Sequence, residues 1–177
     1  YEVILELSHL KKWITEITNS QLLAIDTETD SLDYMSAKLI GISMSVKPNS
    51  AAYIPLGHDY LGAPEQLDKE IVLNQLRPIL ENPHIKKLGQ NIKFDMSVFK
   101  QHGINLCGIS FDTMLESYVI NSIATRHDMD SLASTYLNLA TTKFTDVAGK
   151  GAKKLTFNQI DLDQAAPYAL SLIHISE

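Results

Sequence analysis

The stretch Leu22-Leu23-Ala24-Ile25-Asp26-Thr27-Glu28-Thr29-Asp30 constrains the fold more than any other part of the chain. Four apolar residues, the right length for a strand inside a sheet, run straight into acids at alternate positions. Side chains alternate between the faces of a strand, so Asp26 and Glu28 share one face. Like charges that close destabilise a fold unless a cation sits between them. Two carboxylates on one face at the end of a buried strand make half of a site for a hard divalent cation. An acidic surface loop is the competing reading. An EF-hand is excluded, because position six of the loop is Ser31 instead of Gly and position twelve is Ala37 instead of Glu.

Around this stretch the pattern predicts an α/β chain. Ser8 caps a short amphipathic helix carrying Leu10, Trp13, Ile14 and Ile17 on one face. Strands follow at 22–26, 38–46 and 51–56, the last two joined by the turn Lys47-Pro48-Asn49-Ser50. Asp68 caps a helix whose buried face is Ile71, Leu73, Leu76, Ile79 and Leu80. Short strands at 86–89 and 109–112 alternate with helices over 91–101 and 113–122, and Asp128 caps another helix from Met129. Residues 141–156 are polar, with Gly149–Lys154 as a mobile loop, and a last helix begins near Asp161. Pro167 lies inside it, where proline costs about 3 kcal/mol unless the helix kinks or is in its first turn.

Length sets one domain with a full core for 177 residues, and the opening lacks an initiator Met. There is no apolar run long enough for a membrane span and no basic-then-apolar leader, so a cytoplasmic protein with no membrane partner is expected. The single cysteine, Cys107, rules out an internal disulfide and reads as a small core residue. His9, His58, His84, His102, His127 and His174 show no zinc-like spacing with it or with one another; Asp128 reads as a cap and His127 as structural. A formal net charge of −6 argues against nucleic-acid binding by bulk electrostatics, so any such contact must be local. The glycine-bearing segments lack a phosphate-binding loop followed by Ser or Thr, which excludes an ATPase of that kind. The lysines 150, 153 and 154 read either as a solvated loop or as a contact to a nucleic-acid backbone.

A second constellation, Gly89-Gln90-Asn91-Ile92-Lys93-Phe94-Asp95, puts Asn91 and Asp95 four apart at the start of a helix. Alone it is equally an N-cap followed by a solvated acid. Together, the two segments resemble the first two motifs of the DEDD superfamily of 3′–5′ exonucleases. They most resemble the proofreading domain of bacterial family A DNA polymerases, the DNA polymerase I type. The resemblance continues through FDTMLESYVINS, RHDMDSLA, AGKG and LTFNQI, and so covers residues 3 to 168.

The resemblance implies a ribonuclease-H-like fold, with a mixed five-stranded sheet flanked by helices and a truncated last helix. It implies hydrolysis of 3′-terminal phosphodiesters in DNA with two divalent ions, Mg²⁺ or Mn²⁺, held roughly 4 Å apart. Asp26 would bridge both ions, Glu28 would hold the nucleophile-side ion, and Asp95 would act through water on the second. Tyr168 matches the tyrosine that orients the attacking water. Leu32 and Phe144 match the residues that grip the terminal nucleotide, core packing being the alternative for both. Thr27, Thr29, Gln90, Asn91, Phe94 and Arg126 match positions near the substrate strand. The implied partners are a single-stranded 3′ end of DNA and the polymerase domain of a parent chain.

The third motif of the family, Tyr-x-x-x-Asp, is broken here, because Leu172 stands four residues after Tyr168 and the next acid is Glu177. Residues 171–177, SLIHISE, resemble translated sequencing-adapter read-through. The expected organisation is therefore an exonuclease domain over 1–170 and a non-native tail over 171–177, with impaired activity. An inactive scaffold module with the exonuclease fold is the rival reading. A stand-alone ribonuclease of the same superfamily fits the flanking segments less well.

Overall fold

The acid-bearing strand lies inside the sheet, and what surrounds it follows from the alternation seen in the sequence. The structure is a computed structural model that describes residues 1–123 and 126–176. Strand β1 (Glu2–Val3) and helix α1 (Leu7–Thr18) lead into three successive strands, β2 (Leu22–Thr29), β3 (Leu39–Lys47) and β4 (Ser50–Pro55). Helix α2 (Lys69–Leu80), β5 (Lys86–Gly89), α3 (Ile92–Gln101), β6 (Ile109–Asp112) and α4 (Thr113–Ile120) then alternate. A short α5 (Met129–Leu132) continues as a π-helical turn at Ala133–Leu137, followed by α6 (Phe144–Ala148) and α7 (Leu162–Ser176).

The strands form one mixed sheet in the order β1-β4-β3-β2-β5-β6. β2 and β3 are antiparallel, as are β3 and β4, while β5 runs parallel to both β2 and β6. The expected α/β architecture holds, with six strands in place of five. The added strand is the two-residue β1, which pairs in parallel with β4 through Glu2↔Ala52 and Val3↔Tyr53. Two residues are too few for an alternation pattern to mark them.

Each face of the sheet carries a core. Leu23 and Ile25 pack with Trp13 of α1, with Leu76 of α2 and with Phe99 of α3. Ala24 faces the other way and packs with Phe157, Ala165, Ala169 and Leu170 around α7. Tyr168, the first residue of the Tyr-x-x-x-Asp position, lies against this second core. Asp68 accepts a hydrogen bond from Ile71 N–H at 2.9 Å and so caps α2, and Asp128 caps α5 through Ser131 N–H at 2.9 Å.

Three local expectations are corrected. Glu6, with no side-chain cap bond, precedes α1, and Ser8 lies in its first turn. In α2 Val72 is buried in place of Ile71, which is 46% exposed, while Leu73, Leu76, Ile79 and Leu80 are buried as expected. Residues 141–156 are not wholly loop: they hold α6 and a 3₁₀ turn at Gly151–Lys153. Proline is tolerated in two helices, at Pro78 of α2 and Pro167 of α7. Among the described residues no helix is long and apolar enough to cross a membrane.

Candidate active site

The alternation along β2 sorts its residues between the two faces. Ala24 packs on the α7 side, so Asp26 and Glu28, two and four positions on, continue along that face. Thr27 points the other way and meets α3: its N–H and its hydroxyl both donate to Asp95 Oδ1, at 2.8 and 2.6 Å. Asp95 is thereby clamped by the strand and is only 1% exposed. Thr27, which holds it, also lines the cleft in front of Asp26 and Glu28, and the Asp95 charge acts on Glu28 as that of Asp26 acts on Asp95.

The three carboxylates feel one another. Burial pushes the Asp26 carboxyl from 3.8 to about 7, against the pull of a hydrogen bond from the Thr27 backbone. Burial pushes Glu28 well above the ordinary carboxylate range, and the charges of Asp26 and Asp95 add to it. Asp95 is also raised, by burial and by Asp26, although its bonds from Thr27 oppose the rise. Glu28 Oε1 is buried with no hydrogen-bond partner. A buried, unpartnered carboxylate oxygen beside two further acids is the donor set a hard dication satisfies. The residues fit such an ion. Among the described residues no three such side chains are spaced to ligate one ion by themselves.

Behind Glu28 the backing is rigid. Its register partner on β3 is Gly41, where a Cβ would come within 2.1 Å of the Tyr53 hydroxyl. The missing side chain lets the Tyr53 ring lie across the strand. Tyr53 Oη meets His58 Nε2 at 2.8 Å, and His58 Nδ1 lies 3.1 Å from the Ile160 carbonyl. A carbonyl only accepts, so Nδ1 carries the proton and Nε2 accepts from the tyrosine. Burial holds His58 below its ordinary value, in keeping with a neutral ring. The Tyr53 phenol is pushed up by burial and by the Glu28 charge.

In front of the acids opens a cleft of about 600 Å³. Asp26, Thr27, Glu28, Thr29, Leu32, Phe94, Phe144 and Tyr168, all nominated from sequence, line it. Leu32 stands at 92% exposure, so core packing is excluded for it. Phe144 is half-buried, with ring centroids 6.3 Å from Phe157 and 5.9 Å from Tyr168. It therefore serves packing and cleft together. Burial raises the Tyr168 phenol above its ordinary value, reinforced by Glu28 and Asp26, which keeps its hydroxyl protonated.

Gln90, Asn91 and Arg126 do not line the cleft. Gln90 Nε2 donates to the His127 carbonyl at 2.8 Å, and its Oε1 accepts from the Thr113 hydroxyl. Arg126 pairs with Asp128 at 3.0 Å. Asn91 adopts a left-handed conformation with φ 55°, and its side chain does not cap α3. That role falls to Asp112, whose two oxygens accept from Asn91 N–H at 3.0 Å and Ile92 N–H at 3.1 Å. The same carboxylate caps α4 through Met114 N–H at 3.0 Å. It ties the helix carrying Asp95 to the next strand, and sequence spacing gave no hint of it.

Sequence reasoning also missed part of the lining, from Lys154 to Phe157. Lys154 Nζ sits 5.0 Å from the Phe144 ring centroid, a cation–π distance. Its place in the flagged lysine cluster was the available clue. His127, as expected, is structural: it bonds Ser117 Oγ at 2.8 Å and stacks on Tyr118 at 3.7 Å. Leu172 lies on α7 one turn beyond Tyr168 and is half-buried, while Glu177 falls outside the described residues.

A family model described as 3′–5′ exonuclease matches residues 1–171. The chain is 50% identical over 171 residues to DNA polymerase I of Pseudomonas aeruginosa, a match that takes in 96% of this chain and 19% of that protein. It thus spans a small part of such relatives. Among solved structures, RNase D of Trypanosoma brucei in complex with RNA has a TM-score of 0.76 at 14% identity, over 99% of this chain and 60% of that one. NrnC of Brucella melitensis with bound Mg²⁺ has a TM-score of 0.64 at 19% identity, over 89% of this chain and 69% of that one. These two likenesses are of fold, the ribonuclease-H-like fold.

Proposed function

This chain belongs to the 3′–5′ exonuclease family found in DNA polymerase I, and from that premise we propose that its cleft removes the terminal nucleotide from a single-stranded 3′ end of DNA. One observation carries the reading: three acids crowd at the end of β2, Glu28 and Asp95 buried and Asp26 half-buried, with Glu28 Oε1 unpartnered. Asp26 and Glu28 would hold divalent cations, Mg²⁺ or Mn²⁺, two in number as in the family that the motifs resemble. Such ions supply Lewis acidity, which activates water and stabilises the leaving 3′ oxygen.

The chain's own groups do the rest. Asp95, fixed by Thr27, adds a third carboxylate beside the pair and would act through water on a bound ion. Tyr168, kept protonated, presents a hydroxyl on the cleft that can accept from and orient an attacking water. Leu32 and Phe144 offer apolar surface at the mouth, where a terminal base can stack without regard to its identity. That tolerance suits proofreading, where any mispaired base must be accepted. The module would work in the cytoplasm within a longer chain that includes a polymerase domain.

Leu172 supports a second reading. The family motif calls for Asp at that position, and leucine offers no oxygen to a cation. We assign 1–170 as the exonuclease domain and 171–177 as a foreign tail, a division supported by the family match ending at residue 171. On this division the chain as it stands is a weak nuclease, or at the limit a scaffold with the exonuclease fold. The test is release of 5′-mononucleotides from a 3′-ended single-stranded oligonucleotide with Mn²⁺, before and after Leu172→Asp. No gain from the substitution, together with no activity in either protein, would favour the scaffold.

A further inference from the structure

Outside the cleft, the exposed side of α3 and the β2–β3 loop enclose a groove of about 550 Å³. Tyr34 and Met35 of the loop form one wall, and Lys93, Met96 and Lys100 of α3 form the other. None of its lining residues is an acid, and among the described residues neither ammonium has a carboxylate partner. In a chain of net charge −6, an acid-free groove with two cations is a local exception. The loop's own acid, Asp33, is engaged at home, accepting from Met35 N–H at 3.1 Å and Ser36 Oγ at 2.8 Å. These bonds, with one from Gln101 to the Tyr34 carbonyl, pin the loop to α3.

The groove adjoins the cleft on both of its walls. The loop that carries Leu32 into the cleft carries Tyr34 and Met35 into the groove, and α3 contributes Phe94 to the one and Lys93 to the other. Resting on the nuclease reading given above, we propose that this groove is a second subsite for single-stranded nucleic acid, holding nucleotides beyond those seated in the cleft. Tyr34, 48% exposed, and Met35, 73% exposed, provide surface for a base. Lys93 and Lys100, two turns apart and so separated by about 10 Å along the helix, meet backbone phosphates. An aromatic platform beside a basic track is how sequence-tolerant single-strand sites are built.

The experiment measures binding, not hydrolysis, by fluorescence anisotropy with 5′-labelled oligothymidylates of two and ten nucleotides in Ca²⁺ at several salt concentrations. The proteins are the unsubstituted chain, Lys93→Ala/Lys100→Ala and Tyr34→Ser. All substituted side chains are exposed, and thermal melting checks that each variant folds. In the double variant the ten-nucleotide strand should bind about tenfold more weakly, with the salt slope reduced by about 1.4, or 0.7 for each lost phosphate contact. Tyr34→Ser should weaken the same strand without changing the slope. Dinucleotide binding should be unchanged in every protein. If the unsubstituted chain binds the long strand and the variants match it, the groove proposal is overturned while the cleft reading stands. If the unsubstituted chain binds neither length, both fall.

Discussion

Replacing Asp26 with asparagine should make the metal-free domain more stable at neutral pH, an unusual result for a half-buried position. The carboxyl titrates near 7 in the folded chain and near 3.8 when unfolded. Below 3.8 both states hold the proton and the group is neutral to stability. Between 3.8 and about 7 the folded state keeps a proton that the unfolded chain has released, so stability falls as pH rises through that window. At 1.36 kcal/mol per unit, the shift amounts to about 4 kcal/mol, and screening of the part-exposed carboxyl by cleft water reduces it to about 2–4. Asparagine is close in shape and stays neutral throughout.

The assay is urea unfolding in EDTA at pH 5 and pH 8, read by circular dichroism, for the parent and Asp26→Asn. The parent should lose stability between the two pH values, and the variant should lose markedly less. Adding Mg²⁺ at about 100 times its Kd should then return about 2.7 kcal/mol to the parent and little to the variant. Equal pH slopes in the two proteins, or a variant less stable than the parent at pH 8, would refute the argument that these acids are packed against their own repulsion.

Other outcomes follow from the same geometry. Leu32→Ala should leave melting unchanged, because the side chain is 92% exposed, yet weaken binding of single-stranded 3′ ends in a filter-binding assay. Phe144→Ala should weaken the same binding by about 1–3 kcal/mol and also lower the melting temperature, since the ring packs on Phe157 and Tyr168. Leu172→Asp should raise nuclease activity by orders of magnitude, because a cation's Lewis acidity is worth several kcal/mol and each 1.36 kcal/mol is about tenfold; an unchanged rate would show that another group completes the site. Lys87→Met should destabilise the domain by about 1–3 kcal/mol, since Nζ donates to the Ile79 and Asn82 carbonyls, each at 2.7 Å; Ile79 keeps a bond from the Asn82 N–H, while the part-buried Asn82 carbonyl loses its lysine donor. Burial lowers the Lys87 amine from 10.5 to about 8, so the parent should gain stability from pH 8 to 10.5, where only the unfolded chain stays fully protonated, and the variant should lack that gain in matched urea melts.

Much of this was legible along the chain because it depends on neighbours in sequence. Period-two alternation places Asp26 and Glu28 on one face of β2 whatever surrounds them. Asp68 and Asp128 cap their helices because a cap needs only a side-chain oxygen and an N–H three residues on. The break at Leu172 needed nothing beyond a count of four from Tyr168. Where the pattern misled, the period was short or the choice between neighbours fine, as at β1 and at Ile71.

What the chain order could not supply is which distant groups meet. Asp95 reads as a residue at an exposed helix start, and becomes a buried acid only because Thr27, 68 residues away, donates to it twice. Asp112 clamps the start of α3 from a strand 20 residues on, and Lys154 reaches the Phe144 ring from across a loop. Gln90 turns to His127 and Thr113 and Arg126 to Asp128, while the Asn91 backbone N–H is taken by Asp112, for reasons no spacing rule contains. Sequence determined the kinds of groups and the face each shares with its neighbours, because chain geometry repeats every two or 3.6 residues. Tertiary structure alone decided the cleft, the raised carboxyls and the unpartnered Glu28 oxygen, because burial and the approach of charges are properties of packing between segments.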